Sequence, residues 1–161
     1  TDLVDLLNEH FTAMTDIVFE HQGTLDKYNG DEVMALFGAP IGAADDARRA
    51  VLAGLAMQER CEALNIMRAA EGKPRINIGI GIDTGEDIAG YIGSPKRLDF
   101  TVVGDHVNTA RRFCSLAEPG QVVVGESTYQ AVKDCVKARP IGTVMLKGKE
   151  TPVQAYEITA L

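Results

Sequence analysis

Val4, Leu7, Phe11, Met14 and Val18 recur at alternating spacings of three and four residues, the stripe an amphipathic helix lays along one face. The stripe predicts a helix over 2–21, stopped by Gly23. Two short runs follow, Thr24 to Tyr28 and Asp31 to Phe37, flanking Asn29-Gly30, a pair that predicts a hairpin with a two-residue connection. In that register Tyr28 faces Asp31 and Lys27 faces Glu32, which puts Lys27 and Asp31 on opposite faces of the ladder. Gly38-Ala39-Pro40 ends the second run. From Asp45 to Ala70 the chain is rich in Ala, Leu, Arg, Glu and Met, a long helix closed by Gly72 to Pro74. Ile76, Ile78, Ile80 and Ile82 then alternate with Asn77, Gly79 and Gly81, predicting a strand whose Ile face packs on helices and whose Gly face admits a second backbone or a ligand.

A glycine-rich loop through Gly93 leads to a strand at Asp99 to Val103, and Gly104-Asp105 opens a helix near His106 to Leu116. Val122 to Val124 (strand), Glu126 to Val136 (helix), Thr143 to Lys147 (strand) and Val153 to Ile158 (strand) complete the order α-β-β-α-β-β-α-β-α-β-β. No repeat or low-complexity linker interrupts it.

Length changes the picture by limiting it: 161 residues suit one domain with a single core. Hydrophobic residues at 45% and charged residues at 24% are ordinary globular proportions and exclude a disordered or fibrous chain. The formal net charge of −7 argues against nucleic acid as a partner, since phosphate contacts need a basic surface. No apolar run approaches the ~20 residues of a membrane span, so no direct membrane contact is expected. Cys61, Cys114 and Cys135 lack metal-ligand spacing and are expected to be reduced thiols in a cytoplasmic setting. The chain opens at Thr1 without an initiator methionine, from which an N-terminally truncated piece of a larger protein, with an upstream regulatory domain, is expected.

Three places carry candidate chemistry. Asp31, a carboxylate at a hairpin tip beside Gly30, is open to a divalent metal, although an arbitrary Asn-Gly-Asp-Glu is more often a solvated turn. Asn108 and Arg112, four residues apart, share a helix face just after a glycine turn; an arginine near a helix start suits an anion gaining charge in a transition state, although taken alone Arg111 and Arg112 read slightly better as ordinary surface charges. Lys147-Gly148-Lys149 sets two ammonium groups around a glycine, apt for phosphates yet common on surfaces.

In this order the three form a recognisable set. The runs Lys27-Tyr28-Asn29-Gly30-Asp31-Glu32-Val33-Met34-Ala35-Leu36-Phe37-Gly38, Gly90-Tyr91-Ile92-Gly93-Ser94, Asp99-Phe100-Thr101-Val102-Val103-Gly104-Asp105-His106-Val107-Asn108-Thr109-Ala110-Arg111-Arg112 and Glu118-Pro119-Gly120-Gln121 closely resemble the class III nucleotide cyclase catalytic domain, adenylyl type, over nearly the whole chain. The resemblance implies an α/β (α+β) ferredoxin-like fold, an antiparallel-rich sheet with helices, as one catalytic domain over 1–161. It implies that Asp31 is the second metal aspartate for two Mg²⁺ or Mn²⁺ ions per site, and that Lys27 and Thr101 select the base. It further implies that Asn108 orients the ribose, that Arg112 meets charge on the α-phosphate, and that Lys149, or Lys147 two residues earlier, grips the β- and γ-phosphates. A lysine ammonium donates to adenine N1 and a threonine hydroxyl accepts from the N6 amino group, while guanine reverses that order, so ATP is favoured over GTP.

The family's first metal aspartate lies on a strand before the first helix, in a Phe-x-Asp-Ile-x-Gly-Phe-Thr-like run that this sequence does not contain, so that strand is expected upstream. The expected activity is conversion of ATP to cyclic AMP and pyrophosphate, by two-metal in-line attack, at sites shared across a head-to-tail homodimer. Gly79 and Gly81 are read as a close subunit contact. The alternatives are a silent nucleotide-binding regulatory domain, a guanylyl cyclase or a purely structural dimerisation module. A diguanylate cyclase shares the Gly-Asp-Glu hairpin but lacks the Val-Asn-x-Ala-x-Arg helix and the Lys-Gly-Lys tail.

Overall fold

A computed structural model describes residues 2–29, 32–38, 45–85, 88–94, 97–103, 105–145 and 152–161. It forms two compact units, Thr1–Asn77 and Ile78–Leu161. Both mix helices and strands, and together they carry four helices among the described residues.

The first unit opens with helix α1, Asp2–Glu20, whose buried side is Leu6, His10, Met14, Ile17 and Val18. Strands β1, Thr24–Asn29, and β2, Glu32–Leu36, form an antiparallel pair. Helix α2, Asp46–Ala70, packs on α1 and buries Val51, Ala53, Gly54, Cys61 and Leu64. Both helices end in a Schellman motif. In α2 the left-handed residue is Gly72, with Lys73 N–H donating to Arg68 O at 2.8 Å and Gly72 N–H to Ala69 O at 3.2 Å. In α1 the same bonds run from Gly23 to Val18 O at 2.8 Å and from Gln22 to Phe19 O at 3.0 Å, and the left-handed residue is Gln22, φ 58°. Gly23 is needed for packing instead, because a Cβ there would stand 2.8 Å from the Phe37 ring.

Asn65 and Arg68 make a buried polar cluster. Asn65 accepts from Ile76 N–H at 2.9 Å and donates to Ile76 O at 2.7 Å, while Arg68 donates to Asn65 at 3.1 Å and to Glu9 at 3.3 Å. The expected strand from Ile76 therefore starts only at Ile80: both backbone groups of Ile76 are engaged by a side chain in place of a ladder. Burial, then the Arg68 charge, hold the His10 imidazole below its ordinary pKa, and burial pushes the Cys61 thiol up. The three cysteines are free.

The second unit centres on a four-stranded sheet ordered β3, Ile80–Ile82; β6, Val122–Gly125; β8, Val153–Ala160; and β7, Lys137–Val144. Only β3 and β6 run parallel, Ile80 opposite Val122; the other pairs are antiparallel. Val122, Val123 and Val124 are all buried, as expected for a strand covered on both faces. A separate antiparallel pair joins β4, Ile88–Ser94, to β5, Arg97–Val103. Helix α3, Asp105–Leu116, follows β5, and helix α4, Glu126–Val132, follows β6. Tyr129 stacks on Tyr156 at 4.0 Å, and the Tyr156 hydroxyl donates to Glu126, which pushes the Tyr156 pKa up to about 12.

Three expectations are corrected here. The glycine-rich segment through Gly93, expected as loop, is strand β4: Gly90 and Gly93 are poor strand formers, but the segment pairs with β5 along its length. β7 lies at Lys137–Val144 rather than Thr143 to Lys147; it is an edge strand, which tolerates Pro140 and the irregularity between Pro140 and Gly142. α4 stops at Val132, four residues early, in a turn where Cys135 N–H donates to Val132 O.

Candidate active site

Lys27 lies in β1, paired with Met34 of β2, and Tyr28 is paired with Val33. The ladder closes at Asn29 opposite Glu32, so the connecting pair is Gly30-Asp31, one residue later than expected, and both lie outside the described residues. The expected pairings of Lys27 with Glu32 and of Tyr28 with Asp31 are corrected accordingly. The expected placement of Lys27 and Asp31 on opposite faces of the ladder rested on that register and is not retained, since Asp31 lies beyond the paired residues.

In the second unit Thr101 lies in β5, paired with Gly90 of β4. Asn108 and Arg112 stand on α3 one turn apart and exposed, beside the buried Thr109 and Phe113. Residues so spaced are neighbours on the helix surface, with ~5–6 Å between Cβ atoms. The opposite side of α3 sets which way that face points. A Cβ on Gly81 would stand 2.2 Å from Cys114 N, 2.3 Å from Ala110 O and 2.8 Å from Phe113 C, so the α3 backbone lies directly on the strand. A Cβ on Gly79 would stand 2.9 Å from Ala117 Cβ and O, and Cys114 Sγ–H donates to Gly79 O at 3.3 Å. Phe113, fully buried, packs with Val123 and Ala155.

The expected second backbone is therefore α3 of the same unit, and the reading of Gly79 and Gly81 as a subunit contact is corrected. The α3 helix approaches so closely that no other chain could occupy the glycine face. Gly81 is a positioning feature for Asn108 and Arg112. Its signal, glycine alternating with isoleucine, was in the sequence, but the identity of the neighbour was not.

Chemically, the exposed face of α3 offers a planar guanidinium, suited to paired hydrogen bonds with a phosphate, beside an amide that both donates and accepts. Lys147 and Lys149 lie outside the described residues. Among the described residues no group of three or more His, Cys, Asp and Glu could hold a metal ion. Nor is any helix among them long and apolar enough to cross a membrane.

The sequence family described as "Adenylate and Guanylate cyclase catalytic domain" matches residues 1–160. Adenylate cyclase 1 of Rhizobium meliloti (strain 1021) is 34% identical over 162 residues, 99% of this chain and 24% of that protein. The chain spans about a quarter of the length of the curated relatives it matches. The crystal structure of the adenylyl cyclase CyaB from P. aeruginosa agrees at a TM-score of 0.93 and 37% identity, covering 99% of this chain and 83% of that one. That of the guanylyl cyclase Cya2 agrees at 0.89 and 38%, covering 98% and 80%. Similar structures include a complex with GTP and a dimeric form.

Proposed function

The chain belongs to the adenylate and guanylate cyclase catalytic domain family, and from that premise we propose that it converts ATP into 3′,5′-cyclic AMP and pyrophosphate. The ribose 3′-oxygen forms a bond to the α-phosphorus, the bond from that phosphorus to the bridging oxygen breaks, and pyrophosphate leaves. The observation that carries this reading is the Asn108 and Arg112 pair, exposed one turn apart on a helix whose far side is seated on Gly81. In this reading Arg112 meets the charge gathering on the α-phosphate and Asn108 orients the ribose. Lys27 and Thr101 read adenine, and Lys149 or Lys147 holds the β- and γ-phosphates. Class III cyclases are metal-dependent; two Mg²⁺ or Mn²⁺ ions per site belong to the reading, with Asp31 the one ligand matched in this chain.

A head-to-tail homodimer is part of the proposal; a dimeric form among similar structures supports dimerisation, and the head-to-tail arrangement comes from the family resemblance. So are an upstream regulatory domain, supported by the greater length of the relatives, and a place on the cytosolic side, where ATP is plentiful. A guanylyl cyclase is the second reading, favoured by 38% identity to Cya2.

One assay separates these readings: the full-length protein with Mn²⁺ and either ATP or GTP, the product identified by mass spectrometry. Cyclic AMP is expected, and Arg112→Ala is expected to lower turnover about 10²- to 10³-fold by removing transition-state charge stabilisation. Preferential use of GTP would favour the second reading, and no cyclic nucleotide from either substrate would overturn both.

A further inference from the structure

Arg49, the fourth residue of α2, joins three stretches of chain at the foot of the β1–β2 hairpin. Its Nη1 donates to the carbonyl oxygens of His21 at 2.9 Å and Gln22 at 3.0 Å, just past the end of α1, where unsatisfied carbonyls and the helix dipole favour a cation. Its Nε donates to Asp45 at 3.2 Å, and its Nη2 pairs with Asp46. The guanidinium carbon lies 6.0 Å from the centre of the Phe37 ring. Phe37 directly follows β2 and Gly23 directly precedes β1, and these two feet of the hairpin are in contact. Gly38, at φ +104°, has no room for a Cβ, which would stand 2.3 Å from the same Asp46 carboxylate. One guanidinium, only 14% exposed, therefore bonds the segment entering the hairpin, covers the residue leaving it and holds the carboxylate packed on the next.

We propose that Arg49 is a positioning residue for the cyclase reaction: it fixes the direction in which the β1–β2 hairpin carries Lys27, and through Lys27 it sets the preference for adenine over guanine. This rests on the assignment of Lys27 as the base-reading lysine. A lysine at position 49 would keep the charge and lose the function, since one ammonium nitrogen cannot span two carbonyls on one edge and two carboxylates on the others.

The test is the ratio of kcat/KM for ATP to kcat/KM for GTP, measured with the full-length protein. Both substrates see the same preparation, so loss of folded enzyme lowers both values and leaves their ratio unmoved, whereas a displaced Lys27 changes the ratio itself. Arg49→Lys is expected to lower it about tenfold, toward that of Lys27→Ala, and the double variant to lower it no further than Lys27→Ala alone. A folded Arg49→Lys protein with the parent ratio, or a double variant whose effects multiply, would overturn the proposal for Arg49 while leaving the proposed function standing. A Lys27→Ala protein with the parent ratio would remove the base-reading assignment and this inference with it. A parent that forms neither cyclic nucleotide would remove the proposed function itself.

Discussion

Replacing Gly81 with alanine tests how α3 is held. The added carbon would stand 2.2 Å from Cys114 N and 2.3 Å from Ala110 O, where real Cβ contacts essentially never fall below 3.0 Å. Both obstacles are backbone, so no rotamer change relieves them; the helix must move by about 0.8 Å at least. Overpacking of this kind destabilises by about 1–3 kcal/mol. Asn108 and Arg112 ride on the displaced helix, and with the roles proposed for them a misplacement near 1 Å is expected to lower turnover about 10²-fold. Gly79→Ala, just before the start of β3, is the control. Its carbon meets Ala117 at 2.9 Å, a shortfall of only about 0.1 Å, and the stiffer unfolded chain offsets part of the strain by about 0.4–1 kcal/mol. Thermal unfolding and steady-state cyclase activity of the two variants should therefore diverge, with Gly81→Ala much the worse in both. If Gly81→Ala matches Gly79→Ala in midpoint and turnover, α3 is not seated on β3 as described.

Gln22→Gly should raise the melting temperature by about 1–4 °C, because it removes a left-handed non-glycine residue worth ~1 kcal/mol and keeps the carbonyl that Arg49 uses; a lower midpoint would refute this. The Tyr156 hydroxyl should ionise near pH 12, seen as phenolate absorbance. Its pKa is raised in the fold, so its contribution to stability is complete below about pH 10 and is lost as pH rises through about 12; Glu126→Gln should move the titration down toward the ordinary tyrosine value. For the shared site, Asp31→Ala and Arg112→Ala homodimers should each be inactive, and freely exchanging mixtures should recover roughly a quarter of parental activity, because half the dimers hold one intact site of two. Recovery far below this, with exchange demonstrated, would place both residues in one chain's site.

The helices were legible because their evidence is local and periodic: 2–21 and 45–70 agree with α1 and α2 to within one residue at each end. The hairpin register was not. Asn29-Gly30 and Gly30-Asp31 are both pairs that a two-residue connection favours, and propensity alone does not choose between them. β4 and β7 were hidden for a related reason, since their glycines and Pro140 are poor strand formers and only pairing with a neighbour makes them strands. At the candidate site, Asn108 and Arg112 were legible as a spacing on one helix face. What holds that face lies in the tertiary fold: Gly81 meets three atoms of a helix about thirty residues away, and no local pattern names the partner. Arg49 carries no local signal either: beside Arg48 it is one of two adjacent arginines at a charged helix start.

The parallel pairing of β3 with β6 has a kinetic side. Thr101, Asn108 and Arg112 all lie within the stretch of chain between those two strands, and β3 has β6 as its only neighbour among the described strands of its sheet. Closing that long loop is entropically demanding, and β3 is only three residues long. Its edge therefore has little to hold it until α3 has docked on its glycines. Docking of α3 and pairing of β3 with β6 are then expected to be coupled on the folding path, and a chain that misfolds the crossover would leave the β6 edge open as well as the candidate site unformed, so that loss of the site and exposure of an aggregation-prone edge go together.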